Sequence, residues 1–305
     1  MSEPLTVEFH RRPSTLAFMA RAFYPSPGLR GAAAFPDLRA RWAGHRVDGR
    51  HLARFRGLTG LRGERGLPLL YPYVLGFPLH MVVLTHPRFP VPIWRVLQVR
   101  NHLVRRRHVP ETAVLDLETK VGPHRTLDKG IEVDLCTTVT SEGAVAWEGV
   151  ATFYIRGHFG QPGAPSPLAR APEVADRGGP AVDARWRMPV GPGWAFGGLT
   201  GDYNGIHWSD AYARRFGFRR AFHHSQLVLG QCLARLSDTG AWRAEPEAAR
   251  LDAWLKGPVY YEAQVRLRAQ AQAEATTFAL VADGEERPAI VGRLSRVEDQ
   301  RWEVA

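Results

Sequence analysis

Strict alternation of apolar and polar residues marks the middle of the chain. Ala113, Leu115, Leu117, Thr119 and Val121 alternate with Asp116, Glu118 and Lys120, and Ile131, Val133, Leu135, Thr137 and Val139 alternate with Glu132 and Asp134. Val145, Trp147, Ala151, Phe153 and Ile155 extend the series. A period of two predicts strands of an antiparallel sheet with one face covered. The same order returns nearer the C-terminus: a helix around Gln226–Leu236, then strand-like 260–272, 275–282 and 288–297. Residues 14–24 read as a helix packed on the fold rather than a leader, because Glu3 and Glu8 precede them and Arg21 interrupts them. Together these elements predict an α+β fold with helices laid on antiparallel sheet.

Between the two series, Gly157 to Pro180 is rich in proline and glycine and has almost no hydrophobic period, as a linker would. The flanking halves echo each other. Phe55-Arg56-Gly57-Leu58-Thr59-Gly60 recurs as Phe196-Gly197-Gly198-Leu199-Thr200-Gly201, an offset of 201 − 60 = 141 residues. After the first copy comes an apolar, proline-rich run, residues 67–81, with Tyr71, Phe77 and His80 in it. It suits either plain core or the wall of an acyl-chain pocket.

The second copy opens onto the chemistry. Residues 201–210 read Gly-Asp-Tyr-Asn-Gly-Ile-His-Trp-Ser-Asp, placing an acid (Asp202), an amide (Asn204) and an imidazole (His207) in one glycine-bounded turn. That inventory can hold a water and move two protons. Ser209 is a good N-cap for a short helix that Gly217 closes. The bland alternative makes Asp202 a turn-former and His207 a structural hydrogen-bonder. Shifted back by 141, Asp202 and His207 fall on Leu61 and Gly66, so the first half lacks both groups. A metal reading of Asp202, His207, His223 and His224 is disfavoured, since tandem histidines lack the i, i+4 spacing of a helical ligand pair.

The stretch 201–210, with Gly217-Phe218 and His224 further on, resembles the signature of the MaoC-like, (R)-specific enoyl-thioester hydratases and dehydratases. Those proteins pair G-D-x-N-P-(I/L)-H-x-D with G-F-x-x-x-I-A-H-G-M. Gly201, Asp202, Asn204, Ile206, His207, Asp210, Gly217, Phe218 and His224 match, while Gly205, His223, Ser225 and Gln226 stand where the pattern has proline, alanine, glycine and methionine. In the first half Tyr71-Pro72, Phe77-Pro78, Phe89-Pro90 and Asn101-His102 are similar to the two-hotdog 3-hydroxyacyl-thioester dehydratases of bacterial lipid synthesis.

The resemblance implies a double hotdog, two antiparallel sheets each wrapping a central helix. It divides the chain into an extension (1–40), a first hotdog without the dyad (41–156), a linker (157–181) and a catalytic hotdog (182–305). It implies reversible dehydration of (R)-3-hydroxyacyl thioesters without a cofactor. Asp202 and His207 would form the dyad, Asn204 would position the loop or the water, and the backbone N–H of Ser225 would face the thioester oxygen. Gly201, His224, Tyr71 and Phe77 would border the substrate. A hotdog thioesterase, or a non-catalytic module that binds acyl-CoA or nucleic acid, is the alternative.

Composition narrows the partners. The 305 residues carry a net charge of +10, nearly all from arginine, since Lys120, Lys129 and Lys256 are the sole lysines. The arginines are dispersed, apart from Arg105-Arg106-Arg107, and no nucleic-acid-binding motif accompanies them. A phosphate-bearing carrier, coenzyme A or an acidic acyl carrier protein, suits the charge; Arg105, Arg107 and Lys256 are the candidate contacts, and a solvated basic face is the alternative. No apolar run reaches the ~18 residues of a membrane span. Two cysteines, Cys136 and Cys232, lack metal-ligand neighbours and suggest a reduced, cytoplasmic protein. Two hotdogs in one chain suit a monomer or a homodimer.

Overall fold

The computed structural model describes residues 5–29, 35–63, 65–174, 182–242 and 246–297. The first half runs β1 (Leu5–Phe9), α1 (Thr15–Arg21), β2 (Leu38–Arg46), α2 (Gly49–Thr59), α3 (Tyr71–Leu84), β3 (Val96–Arg105), β4 (Val114–Leu127), β5 (Gly130–Ser141) and β6 (Ala144–Arg156). The second runs β7 (Val182–Arg187), α4 (Gly193–Thr200), α5 (Asp210–Arg215), α6 (Ser225–Asp238), β8 (Ala249–Leu255), β9 (Gln264–Ala271), β10 (Ala275–Ala282) and β11 (Ile290–Arg296). From β2 onward the two lists repeat: strand, short helix, long helix, strand, three-stranded meander. The second list inserts α5 between its helices.

The eleven strands among the described residues join one sheet, in the order β1-β2-β4-β5-β6-β3-β8-β11-β10-β9-β7. The halves meet where β3 pairs antiparallel with β8, Asn101 opposite Ala253 and Leu103 opposite Leu251. On either side of this seam the order is the same, so the two sheets run together edge to edge as one. The added strand β1 pairs parallel with β2. Of the segment 157–181, residues 175–181 lie outside the described residues, and 157–174 contain no helix or strand. This stretch is pinned to the sheet, because the Trp254 indole donates to the Leu168 carbonyl at 2.9 Å.

The six-residue repeat has a structural counterpart. α2 and α4 both end on a left-handed glycine, Gly60 (φ 75°) and Gly201 (φ 82°). In both copies the threonine hydroxyl bonds the carbonyl four residues back, Thr59 to Phe55 and Thr200 to Phe196. Each also accepts from the N–H two residues on, that of Leu61 or Asp202. The turn that presents Asp202 in the second half presents buried Leu61 in the first.

The helices differ according to composition. Every residue of α3 is buried, which explains why its sequence is apolar all round and shows no helical stripe. Pro72 sits in its first turn, where the missing N–H is harmless, and Pro78 lies inside. Trp147, fully buried on β6, donates to the Leu69 carbonyl at 2.9 Å and fixes the approach to α3. α6 buries Leu227, Val228, Leu229, Cys232, Leu233 and Leu236.

On the face of the sheet away from the helices, buried charges are paired. Arg100 holds Glu132 through two bonds of 2.7 and 2.5 Å, and Arg125 and Thr152 bond Asp134 at 2.5 and 2.7 Å. Truncating one member of a buried pair leaves the other charge stranded, so Glu132→Ala is expected to cost about 3–5 kcal/mol of stability. Urea unfolding would show this as a lowered midpoint, with most of the loss restored in Arg100→Met/Glu132→Leu; equal midpoints for Glu132→Ala and wild type would refute it.

Candidate active site

The loop after α4 is built by short side-chain-to-backbone bonds. Asp202 Oδ1 accepts from the Asn204 N–H at 3.1 Å, and Asn204 Oδ1 accepts from the Ile206 N–H at 3.2 Å. The second bond caps the single 3-10 turn Gly205–His207. Downstream, Ser209 caps α5 by accepting from the Tyr212 N–H, and Tyr212 lies against Gly205, where a Cβ would come within 2.7 Å of its ring. Glycine in place of the usual proline makes room for that ring. The Tyr261 hydroxyl donates to the His207 carbonyl. Gly193 is equally constrained, because a Cβ there would fall 2.3 Å from the His207 oxygen.

Held this way, Asp202 serves two purposes: Oδ1 shapes the turn while Oδ2 faces two imidazoles. His207 Nε2 and His224 Nε2 each lie 3.8 Å from Asp202 Oδ2. The tautomers follow from the partners. His207 Nδ1 faces the Phe222 carbonyl at 3.0 Å and must donate to it, leaving the Nε2 lone pair toward Asp202. His224 Nε2 donates to the Asp202 carbonyl at 3.0 Å, so its Nδ1 is unprotonated, and that atom is buried without a partner. The two rings stack at 3.7 Å and 25°.

Burial lowers the pKa of His207, against the opposing pull of Asp202 and the Phe222 carbonyl, and burial followed by the neighbouring His207 lowers that of His224 well below 6.5. Both rings are therefore neutral near pH 7. Asp202, His207 and His224 bring their ligand atoms within 4.8 Å of one another. A cation on His224 Nε2 would break its bond to the Asp202 carbonyl. Two acceptors 3.8 Å apart suit a water that donates one proton to each, at ~2.8 Å from both.

The remaining candidates separate. Gly201 lets α1 approach, since a Cβ there would lie 2.7 Å from the Phe18 ring. Asn204 caps the 3-10 turn. Ser225 opens α6, whose N-terminus has no side-chain cap, so its first-turn N–H groups are free to meet an anion. Tyr71 is buried, its hydroxyl bonded to His51, which in turn bonds the Leu199 carbonyl. Phe77 is buried against Tyr73 and His80.

The arginine cluster does not form a phosphate site. Arg105 is buried and donates to the Pro246 and Glu247 carbonyls, crosslinking the halves. Arg107 bonds the Ser141 carbonyl and approaches Glu142. Arg106 pairs with Glu148. Lys256 is exposed, three residues before Val259, whose carbonyl accepts from the His223 N–H.

Sequence reasoning gave the first half an apolar wall with Tyr71 and Phe77 but missed its polar contribution from Tyr73 and Gln98. Tyr73 of α3 lies within the field of Asp202, with Gln98 and Asn101 of β3 beside its hydroxyl. Gln98 donates to Asn101 at 2.6 Å and accepts from Gln226 of α6 at 3.3 Å. The signal available in sequence was Gln226, a polar residue where the signature has methionine.

No profile of a known protein family matches the chain. The 3-hydroxyacyl-thioester dehydratase X of Mycobacterium tuberculosis is 27% identical over 222 residues, 72% of this chain and 76% of that protein. The crystal structure of HtdX of Mycobacterium tuberculosis superposes with a TM-score of 0.71 at 23% identity, covering 85% of this chain and all of that one. A MaoC-like dehydratase from Phytophthora capsici superposes at 0.69 with 19% identity, over 87% and 97% of the two chains. In its fold the chain is a double hotdog, similar to MaoC-like dehydratases.

Proposed function

We propose that the protein is a hydro-lyase that interconverts (R)-3-hydroxyacyl and trans-2-enoyl thioesters. The observation that carries the reading is the 3.8 Å gap between Asp202 Oδ2 and the His207 Nε2 lone pair. Its curated relative is named for the same dehydration. In hydration, a water in the gap donates to both groups, its oxygen attacks C3, and the proton it gives up is returned to C2 through the same pair. Dehydration is the reverse: the C2 proton is taken and the C3 hydroxyl leaves as water. Sharing the two transfers avoids a free hydroxide and a free carbanion.

Negative charge grows on the thioester oxygen as C3 is attacked. The uncapped N-terminus of α6, at Ser225, supplies backbone N–H groups and the positive end of a 14-residue helix dipole for it. The Ser225 side chain leaves that donor in place. Coenzyme A or an acyl carrier protein would bear the thioester, with Lys256 as a carrier contact. No described helix is long and apolar enough to cross a membrane. Cys136 and Cys232 are both unpaired, which suits a cytoplasmic enzyme.

The test is the enoyl-thioester absorbance band as protein is mixed with crotonyl-CoA and then trans-2-octenoyl-CoA. The expected result is loss of the band with formation of the (R)-3-hydroxyacyl product. Release of free thiol, or a band unchanged with coenzyme A and carrier-protein substrates alike, would rule the reaction out.

A further inference from the structure

Beside the dyad, three carboxamides form a chain of hydrogen bonds with unused ends. Gln226 Nε2 donates to Gln98 Oε1, and Gln98 Nε2 donates to Asn101 Oδ1. This leaves Gln226 Oε1 and Asn101 Nδ2 buried without partners in that chain, and the Tyr73 hydroxyl, although beside Gln98 and Asn101, makes no hydrogen bond of good geometry. Tyr73, Asn101 and Gln226 are 2%, 0% and 5% exposed. Turning all three amides over would exchange the donor and acceptor at the ends but not remove them. The recess thus offers an acceptor, a donor and a hydroxyl that can act as either.

Its place matters. Gln226 follows His224 by two residues, and Asp202 acts electrostatically on Tyr73. Asn101 stands on the seam strand β3, opposite Ala151 on β6 and Ala253 on β8. Buried polar atoms without partners are rare because they are costly. A plain alkyl chain would leave every one of them unpaired, whereas an oxygen substituent would pair with at least one.

We infer that this recess recognises an oxygen function, hydroxyl or keto, on the acyl chain beyond the reacting C2–C3 pair, so that oxygenated acyl thioesters are preferred over plain alkyl ones. The inference rests on the thioester reading above and extends it to the substrate class. Methionine at position 226 would suit an alkyl chain; glutamine suits a polar one.

Saturated thioesters test this without turnover. Calorimetry on the wild-type protein would compare hexanoyl-CoA with 4-oxohexanoyl-, 5-oxohexanoyl- and 6-hydroxyhexanoyl-CoA. At least one oxygenated ligand is expected to bind about tenfold tighter than hexanoyl-CoA or better, because a site built to pair with oxygen rejects the analogue lacking it. In Gln226→Met and Asn101→Leu the ratio is expected to fall toward one. Equal affinities in wild type, no binding of any of the four, or a ratio untouched by both substitutions would overturn the inference. Thermal melts identify a variant that has not folded, and the wild-type comparison needs no variant. If the ratio holds but trans-2-hexenoyl-CoA is not hydrated, the recess stands as a ligand site and the lyase reading alone fails.

Discussion

Asp202→Asn and His207→Ala are each expected to lower kcat by about 10²–10⁴-fold, the range for loss of a positioned acid or base. Because Asp202 Oδ2 and His207 Nε2 address the same oxygen, the double variant should be scarcely worse than the poorer single one. KM should move little, since neither group holds the carrier. Asp202→Asn is the more informative of the two. Its remaining oxygen can still accept from the Asn204 N–H and keep the turn, so any loss reports the missing charge. If steady-state rates showed independent, multiplying losses, the two residues would not be acting on one water.

The second large effect is acid instability. Burial holds His80 down to about 3, and burial with the neighbouring His207 holds His223 at about 4; His207 and His224 are lowered as well. These groups are neutral when folded and have ordinary values near 6.5 when unfolded. Above pH 6.5 neither state binds the proton, and there is no penalty. As pH falls from about 6.5 toward 3–4, the unfolded chain takes up protons that the folded one refuses, so stability drops. One histidine kept neutral across three pH units contributes on the order of 4 kcal/mol to that loss. Urea midpoints between pH 7.5 and 5, above the range where carboxylates titrate, should therefore decline steeply. His80→Asn, removing the ring that bonds Thr137, should flatten the slope. A midpoint constant over that range would contradict the neutral burial of these rings.

Much of the fold was legible because one-sided burial imposes alternation. The strands β4, β5 and β10 lie where the pattern placed them, as does α6. α3 was opaque: a helix buried on all sides has no polar stripe to set its period, so its sequence read only as an apolar wall. The seam strands β3 and β8 were missed for a related reason. β3 alternates two kinds of buried residue, Arg100 and His102 paired with Glu132 and Asp252 on one face, Asn101 and Leu103 on the other. In the site, Asp202 and His207 were legible because one short loop carries both. Tyr73 and Gln98 were not, since α3 and β3 bring them to the second half from 100 or more residues away in the chain. Arg105 illustrates the opposite error: an arginine in a basic run was read as surface charge, and it is a buried crosslink.

The unlike ends of α2 and α4, Leu61 in one copy and Asp202 in the other, bear on stoichiometry. A symmetric pair of identical hotdog chains must carry its reacting groups twice or not at all. A chain holding both copies is released from that rule, and here a single full complement serves eleven strands. Titration with a tight thioester ligand should therefore saturate at one equivalent per polypeptide, half the capacity of an assembly of the same size made from two equal subunits.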